Sequence, residues 1–109
     1  GAIVVIIGAV HGNEKIGVQV IESLKKTLNL KEISGELYLI IANPRALEQN
    51  KRFIDTDLNR LFGETTPQFS AGVEEKRSEE IKPILKKADF LLDIHSTISP
   101  SVPFVYCKN

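Results

Sequence analysis

Short β-branched apolar runs alternate along this chain with longer stretches whose apolar residues recur every three or four positions, the signature of strands alternating with helices. Residues 3 to 10 form a β-branched apolar run broken only by Gly8-Ala9, which predicts a first strand buried on both faces of a mainly parallel sheet. After His11-Gly12-Asn13, the positions Ile16, Val20, Ile21, Leu24 and Leu28 share helical spacing. Lys25 and Lys26 suit the C-terminal end of that helix, and Gly17 on its inner side permits close approach to the sheet. Leu37 to Asn43 predicts a second strand, opened by Gly35 and stopped at Asn43-Pro44, because the residue before proline avoids helical geometry. The result is a βαβ unit.

The segment from Pro44 to Phe69 is polar and irregular, and a connection of that length in a compact domain points to function. Residues 71 to 88 predict a helix with Val73, Ile81, Ile84, Leu85 and Ala88 on one face, kinked or divided in two at Pro83. A third strand is expected at Phe90 to His95, a loop at Ser99-Pro100, and a fourth strand at Val102 to Cys107. The fold class is therefore α/β, a mainly parallel sheet flanked by helices, with residues 1–109 forming a single domain.

Composition narrows the function classes without choosing one. The chain has 109 residues, 42% of them apolar and 26% charged, as in an ordinary soluble domain. Its formal net charge of zero gives no reason to expect a nucleic-acid partner, and its apolar runs are too short to suggest a membrane one. The lone Cys107 excludes an internal disulfide framework and suits a reducing, cytoplasmic setting, with the thiol incidental. With no methionine and a first strand starting almost at Gly1, the sequence reads as part of a longer polypeptide.

Both histidines fall at predicted strand ends, His11 after the first and His95 at the close of the third. In a parallel α/β sheet, ligands bind at that rim. Glu14 follows His11 by three residues, within reach of the same ion, with Gly12 giving the turn room to bend. Two imidazoles and one carboxylate leave a fourth zinc position open, the pattern of a catalytic site. Cobalt, nickel and iron suit the same donors. With ten glutamates in the chain, the His-x-x-Glu spacing alone arises by chance in roughly one case in six, and the competing reading is a pair of structural histidines. The polar segment adds Arg45, Asn50, Lys51, Arg52, Asp57, Asn59 and Arg60, either a solvated basic loop or guanidinium forks for an anionic group.

Four runs in order, His11-Gly12-Asn13-Glu14, Asn43-Pro44-Arg45-Ala46, Arg52 to Arg60 (RFIDTDLNR) and Asp93-Ile94-His95-Ser96-Thr97, resemble the succinylglutamate desuccinylase and aspartoacylase family, a branch of the zinc carboxypeptidase fold. The resemblance implies the N-terminal zinc-binding part of a carboxypeptidase-like catalytic domain. It implies Zn2+ on His11, Glu14 and His95, and substrate recognition by Arg52, Asn59 and Arg60. Asp57 takes the place of the carboxylate that orients the His11 imidazole. The implied reaction is hydrolysis of the amide bond of a small anionic N-acyl amino acid. Such enzymes place a general-base glutamate well after the third ligand. Residues 96 to 109 contain no Asp or Glu, and Glu64, Glu74 and Glu75 read as solvated carboxylates of a loop and an amphipathic helix, so no catalytic base is assigned and the 109 residues alone are expected to be inactive. A peptide-trimming metallocarboxypeptidase and a non-catalytic metal-binding module remain the alternatives. An unpaired edge on the last strand would leave room for a homo-oligomer.

Overall fold

A computed structural model of the chain describes residues 1–63, 72–97 and 101–105. Three parallel strands make the sheet: β1 (Ile3–Gly8) in the centre, β2 (Glu36–Ile41) on one side and β3 (Phe90–Ile94) on the other. Val4 stands opposite Leu37 and Phe90, and Gly8 opposite Ile41 and Ile94, so the three C-terminal ends finish level with one another. The predicted α/β class and the parallel order hold.

Side chains alternate across a strand, and each face of β1 has its own helix. Val5 and Ile7 share a buried cluster with Ile40, Leu58, Leu61 and Ile81, the last contributed by α3 (Val73–Lys87). On the other face lies α1 (Ile16–Thr27), which meets β1 where Gly8 and Gly17 touch backbone to backbone. A Cβ at Gly17 would lie 2.8 Å from the Gly8 Cα, which is the close approach expected of that glycine. Ile21 of α1 is fully buried, while Ile16 is 43% exposed and lies off the packed stripe.

Several boundaries differ from expectation for identifiable reasons. β1 stops at Gly8 and not at Val10, because Ala9 turns into the left-handed region at φ 55° while completely buried. For a residue with a Cβ this conformation costs about 1–2 kcal/mol. It swings the chain out of the strand into the turn carrying His11. The segment after Pro44 is not irregular throughout. It opens with a short helix α2 (Pro44–Glu48), started by proline at its first turn and capped by the Asn43 side chain, which accepts from the Ala46 amide. A 3-10 turn at Leu58–Arg60 follows, capped by Asp57. Another, Leu30–Glu32, lies between α1 and β2.

α3 runs undivided through Pro83, whose exposed side leaves the helix's missing hydrogen bond facing solvent. Its inward residues are Glu74, Ser78 and Ile81, with Ile84, Leu85 and Ala88 packed beside them. The apolar face expected from sequence is thus correct in the C-terminal half of the helix and polar in the first turns.

β3 is not covered on both faces. Phe90, Leu91 and Leu92 are half to two-thirds exposed, since β3 is an outer strand of the described sheet. Residues 101–105 join no strand, and the remainder of the expected fourth strand, with Cys107, lies outside the described residues, as do Glu64 and Ser99-Pro100. No described helix is long and apolar enough to cross a membrane.

Candidate metal centre

The level strand ends determine what converges beyond them. The turn after β1 carries His11 and Glu14, and the residue after β3 is His95. Neither histidine lies within its strand: His11 is three residues past β1 and His95 one residue past β3. His11 and Glu14 are buried, and one ligand atom from each of His11, Glu14 and His95 lies within 4.8 Å of the others. His11 Nδ1 is 2.6 Å from Glu14 Oε2, and His95 Nδ1 is 3.3 Å from Glu14 Oε1. The Ser96 amide donates to Glu14 Oε1 at 2.7 Å and anchors the carboxylate at the centre of the group.

The outer ring nitrogens are engaged as well. His11 Nε2 is 2.9 Å from Asp57 Oδ1, and His95 Nε2 is 2.9 Å from Asp93 Oδ2. Each imidazole therefore has one nitrogen aimed at the shared centre and the other held by a carboxylate, the arrangement that fixes tautomer and ring orientation in metal-ligating histidines. Asp93 was not singled out from sequence for this role. Its signal was the Asp-x-His spacing in a run expected to be a strand, where alternation places both side chains on one face.

Electrostatics point the same way. Glu14, Asp57 and Asp93 bring three carboxylates to two imidazoles, against the single guanidinium of Arg52, 3.8 Å from both Glu14 and Asp57. With neutral imidazoles the group carries a surplus of two negative charges, suited to a divalent cation. The hydrogen bond with Asp93 raises the His95 pKa above its ordinary value; burial opposes this, and the charges of Asp93 and Glu14 reinforce it. Burial pushes the Asp57 carboxyl upward, but the Asn59 amide, the His11 ring and the Arg52 guanidinium outweigh it and hold Asp57 below its ordinary range. On both donor type and orientation, the residues present fit a metal ion.

Beside the group lies an open cleft of about 360 Å³, lined by His11, Glu14, Arg52, Asn59, His95, Ser96 and Thr97. Of the three residues expected to recognise substrate, Arg52 and Asn59 line it. Arg60 is exposed at the end of the 3-10 turn and is not among the described lining residues. Two backbone contacts place the Arg52 segment here: the Gly12 amide donates to the Arg52 carbonyl at 3.1 Å, and the Lys51 amide to the Ala46 carbonyl at 2.9 Å. Gly12 lies in the turn that the Glu14 amide closes on the His11 carbonyl at 3.1 Å, and it also serves close approach, since a Cβ there would lie 2.2 Å from the Ala46 carbonyl carbon.

Sequence reasoning missed Glu74. Grouped with Glu64 and Glu75 as a solvated carboxylate, it is instead completely buried and accepts from the side chain of Asn43 and the amides of Ile54, Asp55 and Thr56. Arg77, also unremarked, caps β2 by donating to the Ile41 and Ala42 carbonyls.

The profile of the succinylglutamate desuccinylase/aspartoacylase catalytic domain matches residues 1–109. A probable aspartoacylase of Acaryochloris marina is 36% identical over 101 residues, covering 86% of this chain and 34% of that protein. An N-acyl-aromatic-L-amino acid amidohydrolase of Xenopus laevis is 36% identical over 105 residues, covering 88% and 34%. Among solved structures, the product-bound ectoine utilization protein of Ruegeria pomeroyi superposes with a TM-score of 0.75 at 28% identity, over 88% of this chain and 30% of that one. The chain spans about a third of the length of these relatives.

Proposed function

The chain belongs to the succinylglutamate desuccinylase/aspartoacylase family, and from that premise we propose that it is the metal-binding and carboxylate-recognising part of a zinc-dependent deacylase that cleaves small N-acyl amino acids. The observation that carries this reading is the convergence of His11, Glu14 and His95 within 4.8 Å, each imidazole backed by its own carboxylate. Zinc on three such ligands would supply a Lewis acid for the acyl carbonyl and lower the pKa of water towards ~7.

The chain's own residues do the rest. Glu14, anchored by the Ser96 amide, and the two imidazoles would hold the ion beside the cleft. Asp57 and Asp93 keep the outer nitrogens of those rings occupied, so neither ring turns away. Arg52 stands at the same cleft with its guanidinium turned towards the metal group, 42% exposed and so accessible to a carboxylate arriving from solvent. A guanidinium binds a carboxylate through two parallel hydrogen bonds, which sets the orientation of an N-acyl amino acid as well as its affinity. Asn59, which also lines the cleft, would be a hydrogen-bond partner for the amide being cleaved, and Arg60, exposed one residue on, would add positive charge to the same segment.

Proton transfer is a separate matter. No carboxylate occurs from Ser96 to Asn109, and those near the metal group are occupied with ligands or ring nitrogens. The 109 residues alone would therefore turn over negligibly, because removing a general base typically costs about 10²- to 10⁴-fold.

The test is release of free amino acid from N-acetyl-L-aspartate, N-succinyl-L-glutamate and N-acyl aromatic amino acids by the complete protein, with zinc and after chelation. Zinc-dependent release from at least one of them is expected. A protein that binds zinc and releases nothing from any of them, or that hydrolyses peptides faster, would sink the proposal.

A further inference from the structure

Glu74 is the one fully buried carboxylate among the described residues, and nothing in the chemistry above uses it. Its burial alone explains little, since an apolar side chain would fill the same inward position of α3 without the cost of desolvating a charge. Its partners are more informative. Oε2 accepts from Asn43 Nδ2 at 2.8 Å and from the Ile54 amide at 2.9 Å. Oε1 accepts from the amides of Asp55 at 2.8 Å and Thr56 at 3.0 Å. Three successive backbone amides and one side-chain amide thus close on a single carboxylate. The strap is reciprocal: Asp55 Oδ2 accepts from the Val73 amide at 2.8 Å, in the first turn of the helix that carries Glu74.

What is strapped down is the arm of the site. Arg52 lies two residues before Ile54, and Asp57 follows Thr56 directly. The Asn43 side chain held by Glu74 also accepts from the Ala46 amide, at the start of the helix against which Gly12 packs. One buried carboxylate therefore joins α3, the α2 start and the 54–56 backbone, and the two cleft groups Arg52 and Asp57 leave this junction on either side.

We propose that Glu74 is a positioning residue for substrate recognition: it sets where Arg52 and Asp57 stand over the His11, Glu14 and His95 group. This rests on the deacylase reading for the identity of the substrate, but not for the geometry. All four contacts of Glu74 are donors, so glutamine in its place must turn its NH2 group towards two of them in either orientation. Glu74→Gln keeps size and shape and releases half of the strap.

In the complete zinc-loaded protein, Glu74→Gln is expected to raise KM for N-acetyl-L-aspartate, or whichever N-acyl amino acid the wild type prefers, by about tenfold or more, with kcat falling less than about threefold. Zinc affinity falls by less than KM rises, and by less than the roughly 10- to 100-fold expected for Asp57→Asn, because the Asp57 carboxylate and the three ligands are all retained. Combined with Arg52→Ala, the effect on KM should be far from additive, since both changes disable the same arm. A KM unchanged in Glu74→Gln, additive effects, or parallel loss of zinc and fold with no KM-against-kcat split would overturn the inference. Should Glu74→Gln fail to fold, Asp55→Ala removes the reciprocal strap, and it must raise KM by a larger factor than it lowers zinc affinity. A wild type inactive on every N-acyl amino acid refutes the deacylase reading and leaves this inference to succinate binding. There Glu74→Gln must weaken succinate as Arg52→Ala does, and equal affinity overturns it.

Discussion

A single methyl group at Gly12 tests how closely the metal turn and α2 are fitted together. A Cβ built on Gly12 lies 2.2 Å from the Ala46 carbonyl carbon, 2.4 Å from the Leu47 nitrogen and 2.5 Å from the Ala46 oxygen. All three are backbone atoms in the middle of a helix, so no side-chain rotation relieves the overlap. Carbon atoms settle at about 3.5–4.0 Å, and the two segments must separate by about 1 Å or more. Overpacking of this kind costs about 1–3 kcal/mol, and the rigid neighbours place Gly12→Ala towards the upper end. The displacement also strains the Gly12 amide's bond to the Arg52 carbonyl and moves His11, the adjacent residue. Zinc affinity should therefore fall by about tenfold or more, as it does when the supports of a ligand are disturbed. Urea unfolding of the chelated protein gives the first quantity, and competition with a chromogenic chelator gives the second. A variant within about 0.5 kcal/mol of wild type, with unaltered zinc affinity, would refute the reasoning.

Three further outcomes follow from the geometry of the site. Asp57→Asn keeps an oxygen for the Asn59 amide but removes the charge facing His11 Nε2, and is expected to lower zinc affinity by about 10- to 100-fold in a direct competition assay. Arg52→Ala removes the guanidinium at the cleft and should raise KM for N-acyl amino acids at least about tenfold while leaving zinc content unchanged by elemental analysis. The pH dependence of stability should carry the mark of Glu74. Burial pushes its carboxyl up, but the amides of Ile54, Thr56 and Asp55 and the Asn43 side chain outweigh burial and hold it below the ordinary 4.5. A depressed carboxylate stabilises fully above that value, and its contribution is lost as pH falls from 4.5 through the folded pKa. Chelated wild type should accordingly lose urea resistance below pH 4.5, with a shallower decline in Glu74→Gln; identical slopes would count against the assignment.

The parts of this molecule legible in sequence are those set by repeating patterns. The βαβ order followed from apolar runs and helical spacing, and the convergence of His11, Glu14 and His95 followed from the rule that parallel strands end on one rim. The Gly8 to Gly17 contact was half visible, since Gly17 lay on the inner stripe of a helix. What escaped were features decided by a distant partner. Glu74 reads as solvated because charge at helical spacing is normally an outer face, and only the amides of 54–56 make it an inner one. The five residues of α2 are too few for a period to show. Asp93 looked like part of a motif, and its partnership with His95 required the strand to be seen ending at Ile94. The exposure of Phe90, Leu91 and Leu92 is equally invisible, because apolarity reports what a residue prefers and not what lies beside it.

The central place of β1 has a consequence in time. Its partner β3 and the proposed ligand His95 come well after it, His95 being 81 residues after Glu14. At ~5–20 residues per second of synthesis, roughly 4–16 s pass between the second ligand and the third. A local helix such as α1 relaxes within about a microsecond, so β1 and α1 wait with His11 and Glu14 between them and an open flank on β1. On the proposed ligand set, capture of a metal ion by all three would therefore require β3 to have docked on β1, so it would report that pairing as much as readiness of the site.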